Sequence, residues 1–414
     1  MPPPVKVCDL TQSYSAVGGG IRTYLHAKRA FVERETDDEH VLIVPGAEDA
    51  VTRAGRATTY TVASPPVPTS PNYRLLLRSG RVREILRAER PDVVETLDAY
   101  NLPWAALRWR RESTPGAAVI AGYRTDFPKA YVEPIVRRVV GRWGAARARA
   151  VAYRYLAGLY GRMDAVYCLT PDGARQLRSL GVEGVDLLPL GVNLGLFHPA
   201  KRSADVRARF GVGDGQPLLV YVGRLDAEKR PEEVVEAFEV LPPDLGAALV
   251  VVGDGPQRAT LDERAGRTPG LHVVGFEADR PALARLLASA DVYVSAMPHE
   301  TFGISVVEAQ ASGLPVVGVR SGAMPERVPD GVGVLGPVGD SAALAANVVR
   351  AWEDREAMGS AARALVEGSF SWDRTFRRLY ALYGRVLGDA RPAERAPSAR
   401  PAARPAPAAA ADRP

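Results

Sequence analysis

Short aliphatic and β-branched runs alternate with longer stretches of helical spacing along this chain, and the alternation occurs twice in succession. Residues 5–10, 41–44, 93–96, 118–121 and 165–169 read as the strands of a first series. Between them lie a helical pattern from Ile21 towards Glu33 and another holding Leu75, Leu76, Val82 and Leu86. A second series starts after Pro217, with strands at 218–222, 248–252, 271–274, 292–295 and 315–319 and helices at 231–241, 257–265, 281–288 and 304–312. Such alternation implies parallel pairing, because a parallel neighbour is reached only through a crossover, and the crossover helices cover both faces of the sheet. The fold class is therefore α/β, with two Rossmann-like doubly wound domains. At 414 residues the chain exceeds what one hydrophobic core normally serves. Glycines and prolines over 189–199 interrupt the pattern and mark the join, giving an N-terminal domain over 1–190 and a C-terminal domain over 191–371.

Over 372–388, Phe376, Leu379, Tyr380 and Tyr383 recur at the spacing of one helix face and predict a final amphipathic helix. Residues 389–414 are almost wholly Ala, Pro and Arg, too poor in apolar surface to offset the entropy of ordering, and are predicted to be a disordered tail. The net charge of +5 suits a phosphate-bearing ligand but is too small to argue for nucleic acid. Cys8 and Cys168 each sit in a strand-like run and read as buried thiols, which fits a reducing, cytoplasmic compartment. The opening Met-Pro-Pro-Pro-Val-Lys lacks the pattern of a signal peptide, and no apolar run approaches the ~20 residues that span a bilayer. The five histidines are scattered without ligand spacing, so no metal site and no cofactor are expected.

Residues able to carry chemistry gather where strands end. The run His299-Glu300-Thr301-Phe302-Gly303-Ile304, continuing to Glu308 and Ala309, reads as strand end, loop and helix, and Ser312-Gly313 then leads into the next strand. Ligands of open α/β sheets bind at the carboxyl ends of the strands, where Glu300 would lie. Gly303 would admit a phosphate to the first amides of the helix, and Glu308, about one turn in, could accept hydrogen bonds from ribose hydroxyls. In the plainer reading Glu300 is a helix-start carboxylate held by the dipole and Glu308 a solvated helix residue. A second feature is Gly223-Arg224-Leu225-Asp226-Ala227-Glu228-Lys229, in which Arg224 and Lys229 could stabilise a departing diphosphate or be ordinary surface cations. A third is Gly18-Gly19-Gly20 after the first strand, a phosphate-approach loop or only a flexible turn.

Taken in order, several motifs closely resemble the nucleotide-binding half of retaining glycosyltransferases of family 4, which adopt the GT-B fold. They are Gly-Arg-Leu-x-x-x-Lys at 223–229, Gly-Asp-Gly-Pro at 253–256, Val-Gly-Phe at 274–276, Glu300 with Glu308, and Ser-Gly-Ala-Met-Pro-Glu ending at Glu326. Leu190-Gly191-Val192-Asn193 with Phe197-His198-Pro199 looks like the family's interdomain segment, and the flavour is closest to bacterial α-mannosyltransferases that use nucleotide sugars. The resemblance implies that Arg224 and Lys229 hold the donor diphosphate, with Gly223 in the same loop. Glu300 and the backbone of Phe302, Gly303 and Ile304 would meet the sugar and its phosphate. Glu308 would bind the ribose, the segment around Phe276 would face the base, and Gly19 and Gly20 would line the phosphates from the other domain. It also implies metal-independent hexosyl transfer from a GDP- or UDP-linked donor, with GDP-mannose favoured, and a final helix that crosses back to the N-terminal domain.

Many members carry a histidine where this chain has Arg124, in Gly122-Tyr123-Arg124-Thr125-Asp126-Phe127-Pro128. A guanidinium cannot act as a general base. Arg124 would instead contact a phosphate or an anionic acceptor, or pair structurally with Asp126. The basic segments 73–90 and 136–154 suggest peripheral contact with the inner face of an anionic membrane, or solvated helix faces. The acceptor is left open among glycan, lipid and small molecule. A nucleotide-sugar epimerase of the same fold and a non-catalytic nucleotide-sugar-binding protein are the competing functions.

Overall fold

The structure, a computed structural model, describes residues 4–15, 19–67, 70–213 and 215–390. Gly18 and the Ala/Pro/Arg stretch from 391 onward lie outside the described residues. In chain order the strands of the N-terminal half are β1 (Lys6–Leu10), β2 (Glu39–Gly46), β3 (Ala50–Ala54), β4 (Ala57–Ala63), β5 (Pro66–Val67), β6 (Ser70–Arg74), β7 (Val93–Thr96), β8 (Ala118–Tyr123), β9 (Ala165–Cys168) and β10 (Val185–Leu187). Eight of them form one sheet in the order β10-β9-β8-β7-β1-β2-β4-β3, parallel throughout except for β3, and β5 and β6 make a separate two-stranded ribbon. In the second half, β11 (Leu218–Val222), β12 (Ala248–Val252), β13 (Leu271–Val274), β14 (Val292–Val294), β15 (Val316–Val319) and β16 (Gly333–Gly336) pair in parallel in the order β13-β12-β11-β14-β15-β16. The direction of winding reverses between β1 and β7 in one sheet and between β11 and β14 in the other. At such a switch point neighbouring crossovers diverge to opposite faces and leave a crevice at the carboxyl ends.

One expectation is corrected, and one element was not foreseen. Residues 75–78 are not helical: the helix runs over Ser79–Glu89, and the amide of Leu75 donates instead to the carbonyl of Pro65 at 2.8 Å. Leu76 is buried in the same cluster as Val82 and Leu86, so the helix-like spacing arises from a loop residue anchored in the core. The antiparallel pair β3–β4 had no counterpart in the sequence reading, because β3 is exposed along its whole length and offers no apolar alternation.

The two halves are joined by two chain crossings that lie side by side. The amide of Val192 donates to the carbonyl of Phe370 at 2.8 Å. A Cβ on Gly191 would come within 2.2 Å of the Trp372 nitrogen, so only glycine allows the two crossings to touch. The last helix, Trp372–Ala390, then packs on the N-terminal helix Gly20–Glu35. Phe376 lies 5.5 Å from Tyr24 and 5.3 Å from Phe31 between ring centroids, and Trp372 stacks on Phe376 at 5.4 Å. Among the described residues no helix is long and apolar enough to cross a membrane.

Candidate active site

The switch point of the C-terminal sheet sets out most of the predicted residues. Gly223 follows β11, and its amide continues the ladder to the carbonyl of Val252 at 3.0 Å. Arg224, next in line, projects half-exposed; one guanidinium nitrogen bonds Asp226 and the other Glu228 Oε2 at 2.7 Å. Burial pulls this guanidinium down, but Glu228 and Asp226 outweigh it and hold the pKa above its ordinary value. Lys229 reaches across to the loop after β14, where its Nζ lies 2.9 Å from Glu300 Oε2. The other oxygen of Glu300 accepts from the amides of Thr301 at 3.2 Å, Phe302 at 3.4 Å and Gly303 at 2.9 Å. Burial alone would raise the Glu300 carboxyl; Lys229 and these amides hold it below the ordinary range. Glu300 is thus a helix-start carboxylate, as in its plainer reading, and also the partner of Lys229, a pairing the sequence did not announce.

Gly303 adopts the left-handed conformation (φ 81°) that turns the chain into the helix Ile304–Ala311, leaving the amides of Ile304 and Ser305 outside the Glu300 cap. The hydroxyl of Tyr293 on β14 ties this first turn down, 2.8 Å from Ser305 Oγ and 3.2 Å from the carbonyl of Val222. The Phe302 ring is buried beneath Arg327, whose guanidinium sits 4.3 Å from the ring centroid and whose Nε donates to the Phe302 carbonyl at 2.9 Å. Glu308 is buried rather than solvated, and it bonds Arg280 at the edge of a cavity of about 440 Å³. Burial raises the Glu308 carboxyl and Arg280 offsets part of that. The cavity runs between the interdomain segment at Asn193–Phe197 and the helix Gly20–Glu35, which contributes Thr23 and Ala27. Phe276 stands exposed on the loop after β13.

On the N-terminal side, Gly20 opens the helix Gly20–Glu35, and Tyr73 and Tyr131 lie close enough to Arg224 to couple to it electrostatically. Gly19 precedes the helix at φ 109°, and a Cβ there would lie 3.7 Å from the Tyr73 hydroxyl. The two halves touch where an Arg327 guanidinium nitrogen donates to the Leu169 carbonyl at 3.4 Å and the Asp172 amide donates to Glu326 Oε1 at 3.4 Å. Arg124 lies inside the N-terminal half, between two tyrosine rings. It is buried with its guanidinium carbon 3.7 Å from the Tyr24 ring centroid, donates to the Tyr167 hydroxyl at 2.7 Å and lies 3.9 Å from Glu95. It does not pair with Asp126, whose carboxylate accepts from Tyr153 and Gln176 at 3.0 Å. Tyr24 and Tyr167, which enclose the guanidinium, were not distinguishable from core aromatics in the sequence.

Three contributors escaped sequence reasoning. Arg280 and Tyr293 carry no motif, and Arg327 follows the quoted Glu326 yet shows its role only as a cation packed on Phe302 and Phe370. The Ser321-Gly322-Ala323 turn fixes the Glu300 loop from behind: the amide of Ala323 donates to the Glu300 carbonyl at 2.8 Å. A Cβ on Gly322, at φ 58°, would lie 2.6 Å from that carbonyl oxygen. Gly322→Ala is therefore expected to displace Glu300 and lower kcat by about tenfold or more. A kcat equal to wild type in purified Gly322→Ala would show that the loop tolerates the displacement.

Two family models match the chain: Glycosyltransferase Family 4 over residues 17–196 and Glycosyl transferases group 1 over residues 203–365. A GDP-mannose-dependent alpha-(1-6)-phosphatidylinositol dimannoside mannosyltransferase of Mycobacterium tuberculosis is 34% identical over 326 residues, 78% of this chain and 81% of that protein. A GDP-mannose-dependent alpha-mannosyltransferase of the same organism is 30% identical over 364 residues, 86% of this chain and 90% of the relative. Among solved structures, sucrose-phosphate synthase from Thermosynechococcus elongatus superimposes with a TM-score of 0.75 at 19% identity, covering 93% of this chain and all of that one.

Proposed function

The chain belongs to the family 4 glycosyltransferases of the GT-B fold, and from that premise we propose that it transfers mannose from GDP-mannose to an acceptor hydroxyl, with retained anomeric configuration and without a metal ion. The observation that carries this reading is the meeting of Arg224, Lys229 with Glu300, and the start of the helix Ile304–Ala311 at the switch point between β11 and β14. The relatives named as GDP-mannose-dependent support the choice of donor. The bond from the sugar C1 to the β-phosphate oxygen breaks, and its electron pair stays with that oxygen. The acceptor oxygen bonds C1 from the same face, and its proton passes to the departing phosphate, leaving GDP and the mannoside. Arg224, Lys229 and the helix amides meet the charge that develops on the phosphate, the task a divalent cation performs elsewhere. Glu308, with its carboxylate facing the cavity, takes the ribose hydroxyls, and Arg124 stiffens the wall beside the Gly19–Gly20 loop. Turnover unchanged by a chelator is the expected sign that the two cations suffice.

The acceptor hydroxyl belongs to a lipid or glycan presented at the cytoplasmic face of an anionic membrane; the relative that acts on phosphatidylinositol dimannoside supports the lipid form. The donor is tested by thermal unfolding with each nucleotide. At a hundredfold excess over its dissociation constant, a ligand bound only by the folded state adds about 2.7 kcal/mol. GDP is expected to raise the melting temperature by several degrees and UDP to leave it near the unliganded value. In Glu308→Ala the GDP shift should shrink. A UDP shift larger than that of GDP would overturn the choice of base, and a shift with neither would remove the nucleotide site.

A further inference from the structure

The basic excess of this chain is concentrated in one place. Residues 128–154 contain six arginines and one lysine against a single acid, Glu133, a net of +6 where the whole chain carries +5. The rest of the protein is therefore close to neutral. Arg149 is spent on Glu133 at 2.7 Å and Lys129 on Asp126 at 3.4 Å, but among the described residues Arg137, Arg138, Arg142 and Arg147 are exposed and make no ion pair. The other basic segment, 73–90, behaves differently: Arg78 pairs with Asp49, Arg81 with Glu84, and Arg83 and Arg87 with Glu112.

The helix that carries the free arginines also carries apolar side chains with nothing over them. Trp143 is 90% exposed, Val139 81%, and Ile135 and Val140 64% each. Trp143 and Val139 are the two most exposed large apolar side chains among the described residues. Ile135 and Val139 stand one turn apart on the helix Glu133–Tyr160, the helix breaks at Gly141 (φ 76°), and Trp143 follows at once. Leaving a tryptophan and three aliphatic side chains in water opposes the hydrophobic effect, and nothing in the core requires them there. Apolar residues interleaved with unpaired arginines on one exposed helix suit an interface that is apolar within and anionic at its face.

We propose that this ridge docks on an anionic bilayer surface: Trp143, Val139 and Ile135 enter the headgroup region, while Arg137, Arg138, Arg142 and Arg147 meet lipid phosphates. This deepens the membrane contact proposed above and does not depend on the transfer chemistry, since binding is measured without turnover. A second copy of the chain fits the ridge poorly, because pairing two such faces brings eight unpaired arginines together. Docking there has a consequence for the site. Tyr131 lies two residues ahead of this helix and the charges of Arg224 and Glu228 reach its hydroxyl, so a ridge held on the lipid surface keeps that edge of the cleft near an anchored acceptor.

The full chain is sedimented with vesicles of phosphatidylcholine alone and with about one third phosphatidylglycerol, at about 0.1 M salt, where the screening length is near 10 Å. Wild type is expected to sediment with the anionic vesicles only, with a blue shift of tryptophan emission. Val139→Ser/Trp143→Ser is expected to bind at least tenfold more weakly and to lose the blue shift. Arg138→Ser/Arg142→Ser should weaken binding by about fivefold per charge removed. Both variants alter exposed side chains and should keep the wild-type melting temperature and its response to GDP. Wild type that ignores anionic vesicles overturns the proposal, as do variants that bind as well as wild type. A dimer in sizing experiments that Val139→Ser/Trp143→Ser dissolves would assign the ridge to self-association instead. Loss of the GDP response with intact vesicle binding would count against the donor reading alone.

Discussion

Lys229→Ala and Arg224→Ala are each expected to lower turnover by about 10²–10³, the usual cost of deleting one preorganised group that meets charge developing in a transition state. The two variants should fail in different ways. Arg224 is half-exposed and already held by Asp226 and Glu228, so its loss removes a phosphate partner and frees two carboxylates beside the leaving group. The donor then meets net negative charge, and kcat/KM should fall with little change in the fold. Lys229 is the counter-ion of Glu300, whose carboxyl it holds below the ordinary range against the effect of burial. Without the ammonium, burial dominates and the Glu300 pKa rises. A carboxylate with a raised pKa is protonated at higher pH, so the acid limb of residual activity in Lys229→Ala should move towards neutrality relative to wild type. Steady-state rates across pH for both variants, alongside thermal melts, check the pair. Near wild-type rates in both would mean that the leaving group has other partners.

The local chemistry was legible because it lies in contiguous motifs. Gly223-Arg224, Lys229, Glu300 and the helix from Ile304 are placed by strand ends that a short apolar run and a following glycine announce, and their meeting point follows from where winding reverses. What the sequence hid is who holds these groups when no ligand is present. Asp226 and Glu228 lie within four residues of Arg224 yet read equally well as loop acids. Arg280 precedes Glu308 by 28 positions, and only the fold makes it a partner. Arg124 read as either a ligand contact or a partner of Asp126; it makes no ion pair with Asp126 and is buried, because Tyr24 and Tyr167, which enclose it, come from elements far along the chain. The exposed Trp143 and Val139 ridge was visible only as a basic, partly amphipathic stretch. Exposure is decided by what fails to pack on a helix, and periodicity does not report that.

The largest effect on stability is expected where no motif points. Lys28 on the helix Gly20–Glu35 is fully buried, with its Nζ 2.6 Å from Asp9 Oδ1 and 2.7 Å from Glu95 Oε2. Glu95, on β7, also accepts from the hydroxyls of Tyr24 at 2.7 Å, Tyr167 at 2.5 Å and Tyr383 at 2.5 Å. Tyr383 belongs to the helix Trp372–Ala390, so one carboxylate ties together β7, the helix after the glycine loop and the helix that returns from the other domain. Removing one partner from such a cluster leaves charge buried without compensation, typically at 3–5 kcal/mol. Glu95→Ala should therefore lower stability by roughly that amount. Tyr383→Phe, which deletes one hydrogen bond to a charged group, should cost about 1.5–3 kcal/mol. The second variant separates packing from polarity, since the ring stays and only the hydroxyl goes. Hydrogen exchange should then quicken along Trp372–Ala390 more than in the C-terminal sheet, because the lost bond is the one that clips this helix to β7. Acid should act on the same cluster. Burial would raise the Asp9 carboxyl, but Lys28 and His40 hold it below its ordinary value of 3.8, so its stabilising contribution is complete above that value and is lost as pH falls through the depressed one. Urea unfolding of Glu95→Ala with a midpoint within error of wild type would show that the buried cluster contributes to position and not to stability.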